Sequence, residues 1–166
     1  MYLLDTPVIA ELGRAKSGKA NPRVARWVAG VASQNLFISA LSLLELEGGA
    51  AQAERRDRAS GAALRAWAEE TVPKAFDGRI LSVDLAVARK RAALPFHEPR
   101  SDRDAVLAAT ALTHGLTLVT HNPSAFRFAR LKLFDPWSHA APEDTADWQT
   151  AARSGPDWFK NLFLRF

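Results

Sequence analysis

The stretch that decides the fold is YLLDTP at residues 2–7, where a short apolar run ends at Asp5 and a proline follows at Pro7. Proline is favoured in the first turn of a helix, so this stretch predicts a strand that passes directly into a helix. Further short apolar runs lie at residues 36–38, 80–83, 116–119 and 131–134. Helical spacing or strong helix formers occupy residues 7–14, 23–32, 41–53, 62–76, 85–94 and 101–114. Strands that alternate with helices predict an α/β fold in which helices flank a parallel central sheet. The strands lack polar alternation, which is typical of strands buried on both faces.

Composition sets the broad class of the protein. The chain has 166 residues, of which 48% are hydrophobic and 24% charged, as in an ordinary globular domain. It contains no cysteine, which excludes a disulfide scaffold, a thiol nucleophile and a cysteine-built metal site. The net charge of +4 permits an anionic partner such as nucleic acid but does not require one.

Asp5 interrupts the apolar start, and no uncharged stretch approaches the roughly 20 residues of a membrane span. We therefore expect a soluble cytoplasmic protein with no membrane partner.

The character of the chain changes near residue 137. We predict one domain over residues 1–137 and a C-terminal appendage over residues 138–166. Within the appendage, Trp158, Leu162 and Phe166 recur every four residues, which predicts a short amphipathic aromatic helix. Its apolar face would pack on the domain itself, on a second subunit or partner, or, least favoured because local basic charge is sparse, on a membrane surface.

Four polar residues stand where predicted strands end and helices begin: Asp5, Glu45, Asp104 and Asn122. Ligands of open parallel sheets bind at such places. Each residue also has a purely structural interpretation. Asp5 or Thr6 would cap a helix, Asp104 would complete a capping box, Asn122 would cap a turn, and Glu45 would form an ion pair.

Glu45 is the residue that the structural interpretation explains least well. At about 100° per residue, Glu45 and Glu47 point about 200° apart on a helix, so they cannot share one solvated face. One of them must lie toward the apolar side, where a carboxylate is costly unless it is paired or binds a metal. Gly48 and Gly49 follow three and four residues after Glu45 and leave space above it.

Asp104 precedes seven residues without charge, 105–111, and a helix that is apolar all round is buried. Asp104 would then mark the polar entrance of that helix. Three carboxylates that converge on one sheet edge repel one another, so their pKa values rise or a cation neutralises them. Ligands that are all oxygen suit Mg²⁺ or Mn²⁺ rather than zinc. Such an ion activates water and stabilises charge on a phosphodiester, so metal-dependent phosphodiester hydrolysis is the predicted chemistry.

These segments, taken in order, resemble the PIN-domain family, and in particular its VapC-type toxins of bacterial toxin–antitoxin pairs. The likeness is carried by residues 1–6, 8–12, 38–46, 104–111 and 114–122, and by FDPW at 134–137. The resemblance implies a PIN-like three-layer sandwich with an acidic Mg²⁺ or Mn²⁺ pocket. It also implies an endoribonuclease that hydrolyses RNA as the toxin of a type II system, is silenced by a cognate antitoxin protein, and forms a homodimer.

The resemblance assigns roles residue by residue. Asp5, Glu45 and Asp104 match the three core acidic positions, which hold the metal. Asn122 matches a fourth catalytic position, where the family carries Asp or Asn. Thr6 and Thr120 match hydroxyl positions beside the pocket.

Two departures from the family pattern motivate an alternative function. Pro7 stands where these proteins usually carry Asn, and His121 replaces a common Arg at a candidate substrate contact. Ser124 also stands in a turn that lacks an acid often found there. The alternative is a catalytically weak or silent PIN-like module that binds RNA or a protein partner. A receiver-like phosphotransfer domain is disfavoured, since the chain has no Gly-rich phosphate loop.

Overall fold

The computed structural model describes residues 1–14, 20–95 and 102–139. Its strands are β1 (Tyr2–Leu4), β2 (Leu36–Ser39), β3 (Ile80–Leu81), β4 (Thr117–Val119) and β5 (Leu133–Phe134). Its α-helices are α1 (Thr6–Gly13), α2 (Pro22–Ala29), α3 (Ala40–Arg56), α4 (Arg58–Ala66), α5 (Val72–Ala75), α6 (Leu85–Ala92) and α7 (Asp102–Thr113). The predicted α/β fold and all five predicted strands are confirmed.

The strands form one parallel sheet in the order β3-β2-β1-β4-β5. The chain runs outward from β1 through β2 to β3, and then returns to the other side of β1 to add β4 and β5. The order of the strands therefore reverses between β1 and β4, where Leu4 pairs with Val119. A crevice opens at such a switch point beyond the carboxyl ends of the strands, and it is the usual place for a ligand in this class of sheet.

The core has two halves, one on each face of the sheet, because successive side chains of a strand point to opposite faces. Leu4 packs in the half that is covered by α1, α2 and α3, together with Trp67 and Phe76. Leu3 packs in the half that is covered by α7 and by the 3₁₀ segment Pro123–Ala129. Helices on both faces confirm the predicted three-layer sandwich.

The helix predicted at residues 62–76 differs from the structure in two ways. It begins earlier, at Arg58, because the side chain of Asp57 accepts a hydrogen bond from the backbone N–H of Ala59 at 3.1 Å and caps the new helix. It is also interrupted by a π-helical turn at Trp67–Thr71, which buries Trp67. The spacing of apolar residues in the sequence predicts neither the earlier start nor the π-helical turn.

Some predictions fall on parts of the chain that the structure leaves undescribed. The amphipathic helix of the appendage lies outside the described residues, and so does the Ser101 half of the capping box. Among the helices that are described, none combines the length and the apolar composition that crossing a bilayer requires.

The contact between α3 and α4 gives a test of the packing. A methyl group at Gly61 would overlap the backbone of Glu54 on α3, so we expect Gly61→Ala to lower the free energy of unfolding by about 1–3 kcal/mol. The matched control is Gly49→Ala on α3, where nothing lies within 4 Å and where alanine should add about 0.5–1 kcal/mol. Urea unfolding of the full chain measures both; equal effects at the two positions would contradict this helix pairing.

Candidate functional site

Asp5 lies at the switch point and ties three elements together. Its backbone N–H donates to the carbonyl of Val119 at 2.9 Å, which extends the pairing of β1 and β4 by one residue. Its carboxylate Oδ1 accepts from the N–H of Thr6 at 2.8 Å, and Oδ2 accepts from the hydroxyl of Thr120 at 2.7 Å. Asp5 therefore does cap α1, as its structural interpretation predicts. The carboxylate is only 4% exposed, so a buried anion stands at the edge of the sheet.

Glu45 reaches the same place from α3. It is half-buried while Glu47 is exposed, so the prediction that one of the two lies toward the apolar side is confirmed for Glu45. Its Oε2 accepts a hydrogen bond from the hydroxyl of Thr6, the residue that follows Asp5. A methyl group on Gly48 or Gly49 would meet nothing within 4 Å, which confirms the open space expected beside Glu45.

Asp104 comes from the opposite side of the sheet, in the first turn of α7. The predicted burial of this helix is confirmed for most of the residues that follow: Ala105, Leu107, Ala108, Ala109, Thr110 and Ala111. The carboxylate of Asp104 is 21% exposed, so it forms the polar end of a helix that otherwise belongs to the core.

One guanidinium joins these three carboxylates. Arg103 donates from Nη2 to Oδ1 of Asp5, from Nε to Oε1 of Glu45 at 2.5 Å, and from Nη1 to Oδ1 of Asp104 at 2.6 Å. Because one planar group contacts all three, the three carboxylates lie around a common point. Burial lowers the pKa of Arg103, but the hydrogen bond to Glu45, the charge of Asp5 and the hydrogen bond to Asp104 together raise that pKa above its ordinary value. Arg103 is therefore a permanent cation at this site.

The sequence interpretation missed Arg103, although a signal was present. Arg103 stands between Asp102 and Asp104 in the first turn of α7, and the positive end of the helix dipole disfavours a cation there. An arginine in that position needs compensation by acids, and three acids had already been predicted nearby. Glu45 also forms the ion pair that its structural interpretation predicts, with Arg103 as its partner.

Asn122 and His121 lie at the rim of the site. The backbone N–H of Asn122 donates to the hydroxyl of Thr120 at 3.2 Å, while its side-chain oxygen accepts from Ser124 at 2.5 Å. The imidazole of His121 is largely exposed and lies 4.4 Å from the ring of Trp137, centre to centre. The structure thus brings Asp5, Glu45 and Asp104 together. Asn122 and His121 follow Thr120 in the chain, and their side chains contact Ser124 and Trp137 rather than the three acids.

The donor atoms of the site suit a divalent cation. The carboxylates of Asp5, Glu45 and Asp104 form an all-oxygen set, which Mg²⁺ and Mn²⁺ prefer. Arg103 neutralises one of three negative charges, so the cluster retains an excess of negative charge. With Arg103 between the acids, no three of the acidic or histidine side chains in the described part of the chain have a metal-binding arrangement. The oxygen ligands suit a divalent cation, and the guanidinium of Arg103 occupies the space between them.

Comparison with known proteins identifies the family. Residues 2–131 match the PIN domain family. The chain belongs to the PIN domain family. This PIN domain protein is 33% identical over 145 residues to the VapC ribonuclease Y4jK of Sinorhizobium fredii, with 84% of this chain and 100% of the relative covered. It is 31% identical over 142 residues to toxin FitB of Neisseria gonorrhoeae, with 82% and 99% covered.

The fold described above agrees with that of a solved structure. The crystal structure of FitAcB from Neisseria gonorrhoeae superimposes with a TM-score of 0.72 at 30% identity, covering 84% of this chain and 100% of that one. Nucleases of the PIN domain family generally use a divalent metal. The fold and family predicted from the sequence are confirmed.

The hydrogen bond from Thr120 to Asp5 can be tested by its effect on stability. Thr120→Val keeps the shape of the side chain but leaves a buried carboxylate oxygen without its donor, so we expect the free energy of unfolding to fall by about 1–3 kcal/mol. Thr117→Val makes the same chemical change at a partly exposed position at the start of β4, and should change stability by less than about 0.5 kcal/mol. Urea unfolding distinguishes the two variants. An unchanged free energy of unfolding for Thr120→Val would contradict the geometry given for Asp5.

Proposed function

We propose that this PIN domain protein is a Mg²⁺- or Mn²⁺-dependent endoribonuclease that acts as the toxin of a type II toxin–antitoxin system. The observation that carries the proposal is the convergence of Asp5, Glu45 and Asp104 on one point at the switch point of the sheet. The names of the relatives, a VapC ribonuclease and a toxin that this chain matches over most of its length, support the same function.

In this proposal Asp5, Glu45 and Asp104 hold the metal, directly or through water. When bound, the ion stabilises charge on the scissile phosphate and makes an attacking water more acidic. Thr6 and Thr120 keep the carboxylates oriented, since each hydroxyl donates to one of them. Hydrolysis would leave a 5′-phosphate and a 3′-hydroxyl.

The rim of the site would contact the RNA. His121 exposes its imidazole next to Trp137, and Asn122 is exposed on the same turn. Rings of this kind stack on unpaired bases, which is the usual way in which proteins hold single-stranded RNA. Beyond Trp137, Arg23 donates to the carbonyl of Trp137 at 3.0 Å and adds positive charge to this side of the domain.

We further propose that the protein works in the cytoplasm as a homodimer and is silenced by a cognate antitoxin protein. The toxin to which the chain is similar and the VapC-type resemblance of its motifs support these partners. Residues 1–137 would form the nuclease domain, and residues 138–166 would be an appendage to it.

A second candidate function is a catalytically silent PIN-like module that binds RNA or a protein partner. Arg103 favours it, because an arginine paired with all three carboxylates leaves none of them free of a cation. Pro7 in the first turn of α1 also departs from the family pattern. The two candidates differ in whether RNA is cut.

Neutralising the acids tests the enzyme directly. Purified, antitoxin-free protein is incubated with several RNA pools and Mn²⁺ or Mg²⁺, beside Asp5→Asn and Asp104→Asn. We expect each substitution to lower the cleavage rate at least about 100-fold, because changes even in the outer shell of a metal site commonly cost 10–100-fold. Asp102→Asn is the matched control, because Asp102 lies on α7 like Asp104 but is 82% exposed and pairs with Arg91. The Asp102→Asn variant should cut RNA at the rate of the wild type.

If the wild type cuts no better than Asp5→Asn and Asp104→Asn across the pools, the silent module is the better proposal. Growth after induction gives the cellular counterpart. Toxicity that survives Asp5→Asn does not come from this site.

Metal removal gives an independent test. We expect EDTA to abolish RNA cleavage and added Mn²⁺ or Mg²⁺ to restore it, since the carboxylates repel the phosphate without a divalent cation. The protein should stay folded throughout, because Arg103 partly neutralises the acids, and circular dichroism checks this. Cleavage that persists undiminished in EDTA would contradict the metal requirement.

A further inference from the structure

Arg103 contacts the same carboxylate oxygens that a metal would need as ligands. Its guanidinium donates a hydrogen bond to one oxygen of each acid: Oδ1 of Asp5, Oε1 of Glu45 and Oδ1 of Asp104. The second oxygens of two of these acids accept hydrogen bonds from other side chains, Oδ2 of Asp5 from Thr120 and Oε2 of Glu45 from Thr6. Asp5 and Glu45 therefore present their remaining side-chain oxygens to the guanidinium.

A guanidinium and a divalent ion do not fit between these oxygens together. The N–H···O distances from Arg103 to Glu45 and Asp104 are 2.5 and 2.6 Å, and a Mg²⁺ ion requires its oxygens at about 2.1 Å around the same centre. Like charges also oppose simultaneous occupancy. Arg103 has to leave before an ion can bind.

The side chain of Arg103 is placed so that it can leave. It starts in the first turn of α7 and is 26% exposed, so solvent already reaches it, whereas Asp5 is nearly buried. The hydrogen bonds from Thr6 to Glu45 and from Thr120 to Asp5 do not involve Arg103 and remain when it moves away. Departure of the guanidinium would leave Asp5 and Glu45 oriented toward the centre that it vacates.

We propose that Arg103 is a positioning residue that serves as the internal counter-cation of the metal-free protein and competes with the divalent ion for Asp5, Glu45 and Asp104. The proposal rests on the function proposed above. In the metal-free state Arg103 suppresses the repulsion between the three acids and keeps them together. Metal affinity is lowered by the free energy of breaking these ion pairs.

The test is Mn²⁺ binding to the metal-free full chain by isothermal titration calorimetry. We expect Arg103→Ala to bind Mn²⁺ about tenfold more tightly than the wild type, equivalent to about 1.4 kcal/mol. Arg103→Gln, which loses the charge but keeps hydrogen-bond donors, should also bind more tightly and serves if the alanine variant does not fold. Arg65→Ala is the control, since Arg65 pairs with Glu54 and Glu69 instead, and should leave the affinity unchanged.

Thermal unfolding supplies a second readout that does not depend on activity. Without metal, both Arg103 variants should melt at a lower temperature than the wild type, because the acids then repel one another, and saturating Mn²⁺ should remove most of the difference. A residue with a merely structural role would lower the melting temperature equally with and without Mn²⁺.

The outcomes separate this proposal from the proposed function. Arg103 variants that bind Mn²⁺ as the wild type does, or more weakly, overturn the competition while leaving a metal site intact, provided that Asp5→Asn abolishes binding. If neither the wild type nor the Arg103 variants bind Mn²⁺, the metal site and the competition both fail.

Discussion

Electrostatic repulsion among three carboxylates is the constraint on which the site depends. Asp5, Glu45 and Asp104 come from the end of β1, from α3 and from α7, and the strand order brings these elements to one edge of the sheet. Anions held this close need a cation, and Arg103 supplies one by contacting all three. In the structure the compensating positive charge comes from Arg103, and in the proposed reaction it comes from a divalent metal ion.

The frame that holds the acids is built from the backbone and from two threonines. Pairing of Leu4 with Val119 places Asp5 next to Thr120, and the hydroxyl of Thr120 then fixes the buried carboxylate. Asp5 also caps α1, so the local structural role and the proposed catalytic role share one side chain. The same residue, Asp5, therefore stabilises the start of α1 and contributes a carboxylate to the proposed site.

Local patterns in the sequence predicted the strands and the convergence of Asp5, Glu45 and Asp104 at one edge of the sheet, and the structure shows both. The angle between Glu45 and Glu47 predicted that one faces inward, and the uncharged run after Asp104 predicted a buried helix. Arg103 escaped prediction because its contacts with Glu45 and Asp5 span 58 and 98 positions of the chain, and no local period reports such contacts. The hydrogen bond of Asn122 with Ser124 and the π-helical turn at Trp67–Thr71 likewise follow from packing and hydrogen bonding in the folded chain rather than from a repeat in the sequence.

Anomalous scattering from crystals of the full chain soaked in Mn²⁺ tests the central claim most directly, because it locates the ion without reference to activity. The account predicts a peak at the switch point among the carboxylates of Asp5, Glu45 and Asp104, which would hold the ion directly or through water, with the Arg103 guanidinium displaced. A fully soaked crystal with no Mn²⁺ at these acids, and Arg103 still paired with all three, would contradict it.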